Sequence, residues 1–419
     1  MYTLLIGLLF LLPFQYVVVL PGGIEAVRLY AALLGLTWLA GYLLDARNRG
    51  RIGSLAPWLL GGMVAATALA VPFAIDPAAS AVRWGRFVVL WVGFAVAMPA
   101  TLGTTSSWRR VAFVYVIAGV VFGLLNYSNY LLAPVGLLRE IAASPTRFVV
   151  RNAFAFGGGV EGHGHEVGHF ASFVILLGTG LLLTSRARWE RLVLIVLLVI
   201  ATGALMVSFT KSAWAGLAIG FVVFYRSALR RTPLGDRVAR VVRWSWIPLA
   251  AMLSVAAGFW IALPGETRAW LVQNFLFRDI SGVQRFVLWS RALEAALGHP
   301  LIGVGLNSLV LLAGDPHNWW LEMLAEGGVL AFVLALAFFI CLWRELAVRE
   351  PTGALDVRLI RGAAAATVAS IAFQGLFEAS FLWDFPTWVA LGLATAVASW
   401  STPETLLAVQ AVDNAVPQM

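Results

Sequence analysis

Charge is scarce in this 419-residue chain: Asp, Glu, Lys and Arg make up 12% of it, against 61% hydrophobic residues. Soluble domains carry roughly 25% charged residues, so an ordinary water-exposed globule is excluded. Cysteine is scarcer still. The one residue, Cys341, excludes an intrachain disulfide framework. There is a single lysine, Lys211, and only five histidines. Neither a P-loop nor a dinucleotide fingerprint occurs, so no nucleotide or other cofactor is expected. No basic n-region with a small-residue cleavage site opens the chain, and the first apolar run therefore reads as a retained span. Internal repeats, heptad arrays and low-complexity tracts are also absent.

Long apolar blocks fill the space that charge leaves. They run approximately over 3–20, 29–44, 55–73, 87–103, 111–133, 170–184, 192–209, 212–226, 246–263, 318–343, 362–380 and 385–401. A helix of about 20 residues crosses roughly 30 Å of hydrocarbon. The pattern predicts an all-α polytopic membrane protein, one integral domain over 1–419 with about 12 transmembrane helices and a short tail at 402–419. With the N-terminus inside, 18 of the 29 basic residues lie on cytoplasmic loops, as the positive-inside rule prefers. Both termini are then cytoplasmic. The other basic residues, Arg28, Arg83, Arg86, Arg139, Arg147, Arg151, Lys211, Arg268, Arg278, Arg285 and Arg291, fall on the outer side. Topology does not require them there. Snorkelling to lipid phosphates accounts for some, and the rest suggest an anionic ligand at the outer face.

Two outer segments are long, about 134–169 and 264–316. The second contains a stretch whose apolar residues Phe286, Trp289, Leu293 and Leu297 recur at helical spacing, with Arg285, Arg291 and Glu294 on other faces. It predicts an amphipathic helix along the membrane surface. The first contains His165-Glu166-Val167-Gly168-His169, an H-E-x-x-H spacing that on a helix aligns two zinc ligands and a general base. Gly162, Gly164 and Gly168 interrupt it and glycines 157–159 precede it, which favours a loop entering a helix over a zinc-protease helix. No metal is expected. In GDPHNWW, Asp315 is placed to cap a helix, with Pro316, His317 and Asn318 in its first turn. That helix pole should lower the His317 pKa and keep its imidazole neutral.

The stretch QRFVLWSRALEAALGHPLIGVGLNSL, followed by DPHNWWLEMLAEGGVLAF, resembles the signature region of the O-antigen ligase and polymerase superfamily. Arg285, Trp289, Pro300, Gly303, Gly305, His317, Asn318, Glu326 and Gly328 fill its pattern. Thr210-Lys211-Ser212 stands where the family shows a Ser-Arg-Gly-like element, and Ala331 replaces a later glycine. The resemblance implies a GT-C-like membrane glycosyltransferase with a large periplasmic loop between helices 9 and 10. It would work at the periplasmic face of the bacterial inner membrane. It also implies the partners: an undecaprenyl-diphosphate-linked glycan as donor, a lipid A-core sugar hydroxyl as acceptor and membrane lipids around them, with no nucleic acid. His317 and Arg285 are the catalytic candidates, as base and as diphosphate fork. Lys211, Arg83, Arg86, Arg147 and Arg291 are donor-binding candidates. Asn318, His163, His165, His169, Glu322 and Glu326 are supporting or acceptor-binding ones. A polymerase, a protein O-oligosaccharyltransferase, an intramembrane zinc protease and a lipid-linked glycan transporter remain alternatives.

Overall fold

The computed structural model describes residues 1–14, 19–20, 24–44, 54–132, 163–208, 210–230, 232–233, 235–236, 261, 264–266, 281–348, 355–378 and 384–400. The expected span at 246–263, most of the first outer segment and the tail lie outside them. The described chain is built of helices, apart from a small antiparallel ladder that pairs Val19–Leu20 with Ile24–Glu25. Seven helices among the described residues are long and apolar enough to cross a membrane, and three shorter ones are also apolar. The protein is a helical membrane protein.

The helices that position the site are α1 (Tyr2–Leu11), α2 (Ala26–Leu44), α3 (Ala56–Ala70), α4 (Pro77–Leu90), α5 (Thr105–Leu132), α6 (His163–Thr184), α7 (Arg188–Ser208) and α8 (Lys211–Phe224), then α9 (Ser281–Gly298), α10 (Ser308–Leu312), α11 (Trp319–Trp343), α12 (Leu355–Gln374) and α13 (Phe385–Ser399). α4 begins at Pro77, well before the apolar run expected at 87. Asp76 caps it by accepting from the Ala79 N–H at 3.0 Å, and proline occupies its first turn. The charged stretch Arg83-Trp84-Gly85-Arg86 lowers local hydropathy and hides this start from an apolar count. Beyond Leu90 the helix widens into a π-helix over Trp91–Ala97.

Small residues set the helix spacing. In α12 the run Ala363–Ala366 is buried, and Gly180 of α6 and Gly220 of α8 lie against Ala363 and Ala366. Close backbone approach of this kind is how apolar helices associate where lipid offers no hydrophobic gain. The two ends of the bundle are tied differently. At one end Ser54 Oγ donates to Glu345 Oε2 at 2.5 Å, and Arg361 donates to the Glu345 carbonyl. There too Arg109 meets Glu190 at 3.2 Å. At the other end the close of α3, the start of α4, α10, the start of α11 and the close of α12 converge, and the candidate residues gather there.

Candidate active site

The frame of the site is a helix break. Gly328, at φ 73°, interrupts α11 and leaves backbone groups on both sides without their helical partners. The segment after α9 supplies them: Val304 N donates to Ala325 O at 2.9 Å, Gly305 N to Glu326 O at 3.0 Å, and Val329 N to Pro300 O at 2.8 Å. A Cβ on Gly303 would meet the Glu326 backbone, and one on Gly328 would meet the Leu301 carbonyl. The Pro-x-x-Gly-x-Gly and Ala-Glu-x-Gly elements are therefore two sides of one backbone contact.

Upstream of the break the sequence expectation needs correcting. Asn318 caps α11, its Oδ1 accepting from Leu321 N at 3.1 Å, and the helix begins at Trp319. Asp315 instead accepts from His317 N at 2.7 Å, closing a turn that holds His317 at φ 46°. The cause is tertiary. Trp319 N donates to Gly375 O at 2.8 Å and reaches Glu378 O at 3.2 Å, so the end of α12 supplies partners for the first helical N–H.

This placement sets the imidazole beside carboxylates. Its buried Nδ1 lies 3.8 Å from Glu378 Oε1 and 3.8 Å from Asp315 Oδ1. Glu378 chiefly raises the His317 pKa above the ordinary 6.5 and Asp315 adds to this, against partial desolvation and the Arg285 guanidinium, which lower it. The net direction is upward, opposite to the shift expected from the helix pole. Glu378 is buried, and sequence reasoning missed it: it lies outside the resembling stretch, and nothing local marks it as a partner of His317.

Arg285 lies on α9, which packs Ala292 and Ala296 against Ala325 and Leu309. Phe286, Leu293 and Leu297 stay exposed, as on a membrane-surface helix. Trp289 stands one turn beyond Arg285 and donates from Nε1 to Pro316 O at 2.8 Å, tying this helix to the His317 turn. The Arg285 Nε is buried and has no hydrogen-bond partner among the described residues. Arg291 is exposed on a different face of α9.

Arg83 reaches α11 from α4, where it is fully engaged. It donates to Asn307 Oδ1 at 2.8 Å and to Glu322 Oε1 at 2.8 Å, and lies 3.9 Å from Glu326 Oε2. Glu326 Oε1 also accepts from Leu309 N at 3.1 Å. Arg86, three residues on, is exposed and lines a groove between α2 and α4, so the two arginines serve different surroundings.

A third group forms around the H-E-x-x-H segment. α6 begins at His163, so the motif lies in the first turns of a helix and not well inside one. Gly168 is tolerated there because it abuts Ser208 and Thr210. The buried His169 Nε2 lies 3.2 Å from Ser212 Oγ, next to exposed Lys211 at the start of α8. Gln374 Nε2 donates to Ser172 Oγ at 3.0 Å and to Ser370 Oγ at 2.7 Å, linking this group to the end of α12. Among the described residues no group of three His, Cys, Asp or Glu is placed to hold a metal ion. The side chains of His163 and His165, and all of Arg147 and Arg151, lie outside the described residues.

Residues 196–336 match the family model described as O-antigen ligase. Over that third of the chain the protein is similar to the O-antigen ligase family. The match supports assignment to the O-antigen ligase and polymerase superfamily, and with it a glycosyltransferase-like role in an O-antigen pathway. The match covers Lys211, Arg285, the Pro300–Gly305 segment, His317, Asn318, Glu322 and Glu326, while Arg83, Arg86, His169 and Glu378 lie outside it. No curated protein matches the chain.

Proposed function

We propose that the protein is an O-antigen ligase that transfers a glycan from undecaprenyl diphosphate to a lipid A-core sugar hydroxyl, with inversion and without a metal. The observation that carries this reading is the convergence of His317, Glu378 and Arg285 at the start of α11. An imidazole whose Nδ1 faces two carboxylates carries its proton on that nitrogen, which leaves Nε2 to accept another. His317 would take the proton of the acceptor hydroxyl as that oxygen bonds to the anomeric carbon. The bond from that carbon to the diphosphate breaks, and the leaving oxygens carry the charge away. Arg285 presents a planar fork to those oxygens, with Lys211, Arg86 and Arg291 as further cations on the donor side. Arg83 takes a different part: already engaged by Glu322 and Asn307, it positions α4 against α11. Working at the periplasmic face of the inner membrane, the enzyme needs no nucleotide, because the donor bond is already activated.

The test is purified protein with undecaprenyl-diphosphate glycan and, in parallel, lipid A-core, free glycan or peptide. Ligation to lipid A-core is expected. Elongated lipid-linked glycan as the sole product would make it a polymerase, and glycosylated peptide a protein O-oligosaccharyltransferase. No transfer to any acceptor would sink the reading.

A further inference from the structure

The second histidine of the H-E-x-x-H segment has no part in the transfer chemistry above, yet it is built into the bundle. His169 of α6 is buried, and its Nε2 stands 3.2 Å from the hydroxyl of Ser212 in the first turn of α8. That turn is not fixed by its own cap. Thr210 occupies the N-cap position without a side-chain hydrogen bond to the helix, and its hydroxyl donates backwards to Ser208 O at 3.2 Å. Glycines let the helices close on this point. A Cβ on Gly168 would come within 2.7 Å of Ser208 Oγ and Thr210 Cβ, and one on Gly216 would run into the Gln374 side chain.

The contact continues towards the base. One turn along α6, Ser172 Oγ donates to His169 O at 2.7 Å and accepts from Gln374 Nε2 at 3.0 Å. Gly375, the next residue, accepts from Trp319 N, two residues beyond His317. Consecutive polar contacts therefore join the first turns of α8 and α6, the end of α12 and the start of α11. Exposed Lys211 stands at one end of this chain of contacts and His317 at the other.

We propose that His169 is a positioning residue, which through Ser212 fixes the first turn of α8 and so the point from which Lys211 reaches the donor diphosphate. The proposal deepens the transfer reading and rests on it for the donor's identity. Lysine is a point charge on a flexible stem and does not orient itself as an arginine fork does. Its backbone must then be held in place. A displacement of about 1 Å caused by a change away from the chemistry can cost on the order of 10²-fold in rate. Hydrogen bonds between polar side chains are one of the means by which apolar helices fix their register where lipid offers no hydrophobic gain.

The experiment is a double-mutant cycle on the affinity of the detergent-purified protein for undecaprenyl diphosphate, read by thermophoresis. His169→Leu and Ser212→Ala should each weaken binding about tenfold. His169→Gln, whose amide reaches about as far as Nε2, should restore most of it. Lys211→Ala should also weaken binding, and adding His169→Leu to it should change affinity no further. The acid limb of the transfer profile, which belongs to His317, should not move in His169→Leu. Should His169→Leu fail to fold, Ser212→Ala carries the same cycle, since loss of one hydroxyl leaves the packing intact. A loss that recurs in full in the Lys211→Ala background overturns the proposal, because His169 would then act on the bundle and not through Lys211. Wild-type affinity in both His169→Leu and Ser212→Ala overturns it as well. Failure of the transfer reading looks different: the coupling would hold while wild type transfers glycan to no acceptor. Active wild type without the coupling removes only the role of His169.

Discussion

Two charged clusters meet the first turns of α11, and they are built to opposite ends. Arg83, Glu322, Glu326 and Asn307 form a buried group in which the guanidinium meets a carboxylate and an amide oxygen at 2.8 Å each. His317, Asp315, Glu378 and Arg285 form a looser one, with 3.8 Å between the imidazole and each carboxylate and the His317 side chain 41% exposed. Similar residue types are close-paired in the first and spaced in the second. A closed cluster holds helices together, because breaking a buried pair strands a charge. An open one keeps its groups accessible to a third party. The difference teaches that membership in a conspicuous charged motif does not assign a role. The spacing of the partners does.

The comparison breaks most decisively at His317. His317→Ala should lower single-turnover transfer on the order of 10²–10⁴-fold while donor binding changes little. His317→Arg should be equally inactive, and an active arginine variant would reduce His317 to a cation. Arg285→Ala should follow, with transfer lost in protein that still inserts and melts normally. Arg285→Lys should recover little, since a point charge lacks the fork. Wild-type turnover in the alanine variant would return Arg285 to the membrane surface.

The closed cluster should answer in stability. Arg83→Ala leaves Glu322 and Glu326 buried without their guanidinium, and the expected loss is on the order of 3–5 kcal/mol, seen as a lower melting temperature in detergent. A variant that melts as wild type but fails to bind donor would move Arg83 into the open cluster. Glu378→Gln makes a finer distinction. Glu378 raises the His317 pKa, and a base works only when neutral, so wild-type activity should fall as pH drops through a value above 6.5. Removing the carboxylate should move that acid limb to lower pH. An unmoved limb would mean that another group titrates. The smallest expected effect is at the cap, where Asn318→Ala should cost about 1 kcal/mol.

Much of this is legible in the sequence. The Arg285, Trp289, Pro300–Gly305, His317 and Glu326–Gly328 pattern falls within the stretch that the family model matches, and it is readable because the helix break, its backbone partners and the Trp289 latch all lie within a short span of sequence. The helical apolar runs were legible for a similar reason, since each is a local property. What stayed hidden depends on distant chain. Asp315 and Asn318 are both good caps, and the choice between them was made by the Gly375 and Glu378 carbonyls meeting Trp319 N. The rise in the His317 pKa has the same origin, because the helix pole is readable in sequence while the approach of Glu378 is not. Arg83 and Arg86 are both donor-binding candidates by sequence, yet one enters the α11 cluster and the other lines the groove between α2 and α4.

The sequence by itself determined that the chain is a bundle of apolar helices with an O-antigen ligase-like signature, because hydropathy and a compact motif are written in consecutive residues. It did not determine which apolar helix is inside. α6 and α7 are comparably hydrophobic, yet α6 is largely buried and α7 exposes Trp189, Leu192, Val199 and Met206. In lipid both arrangements satisfy the hydrophobic effect equally, so only packing against neighbours decides. Tertiary structure likewise decided which neighbours each cation meets. A charge's role depends on what stands within a few ångströms of it, and here those neighbours are supplied by helices far apart in the chain.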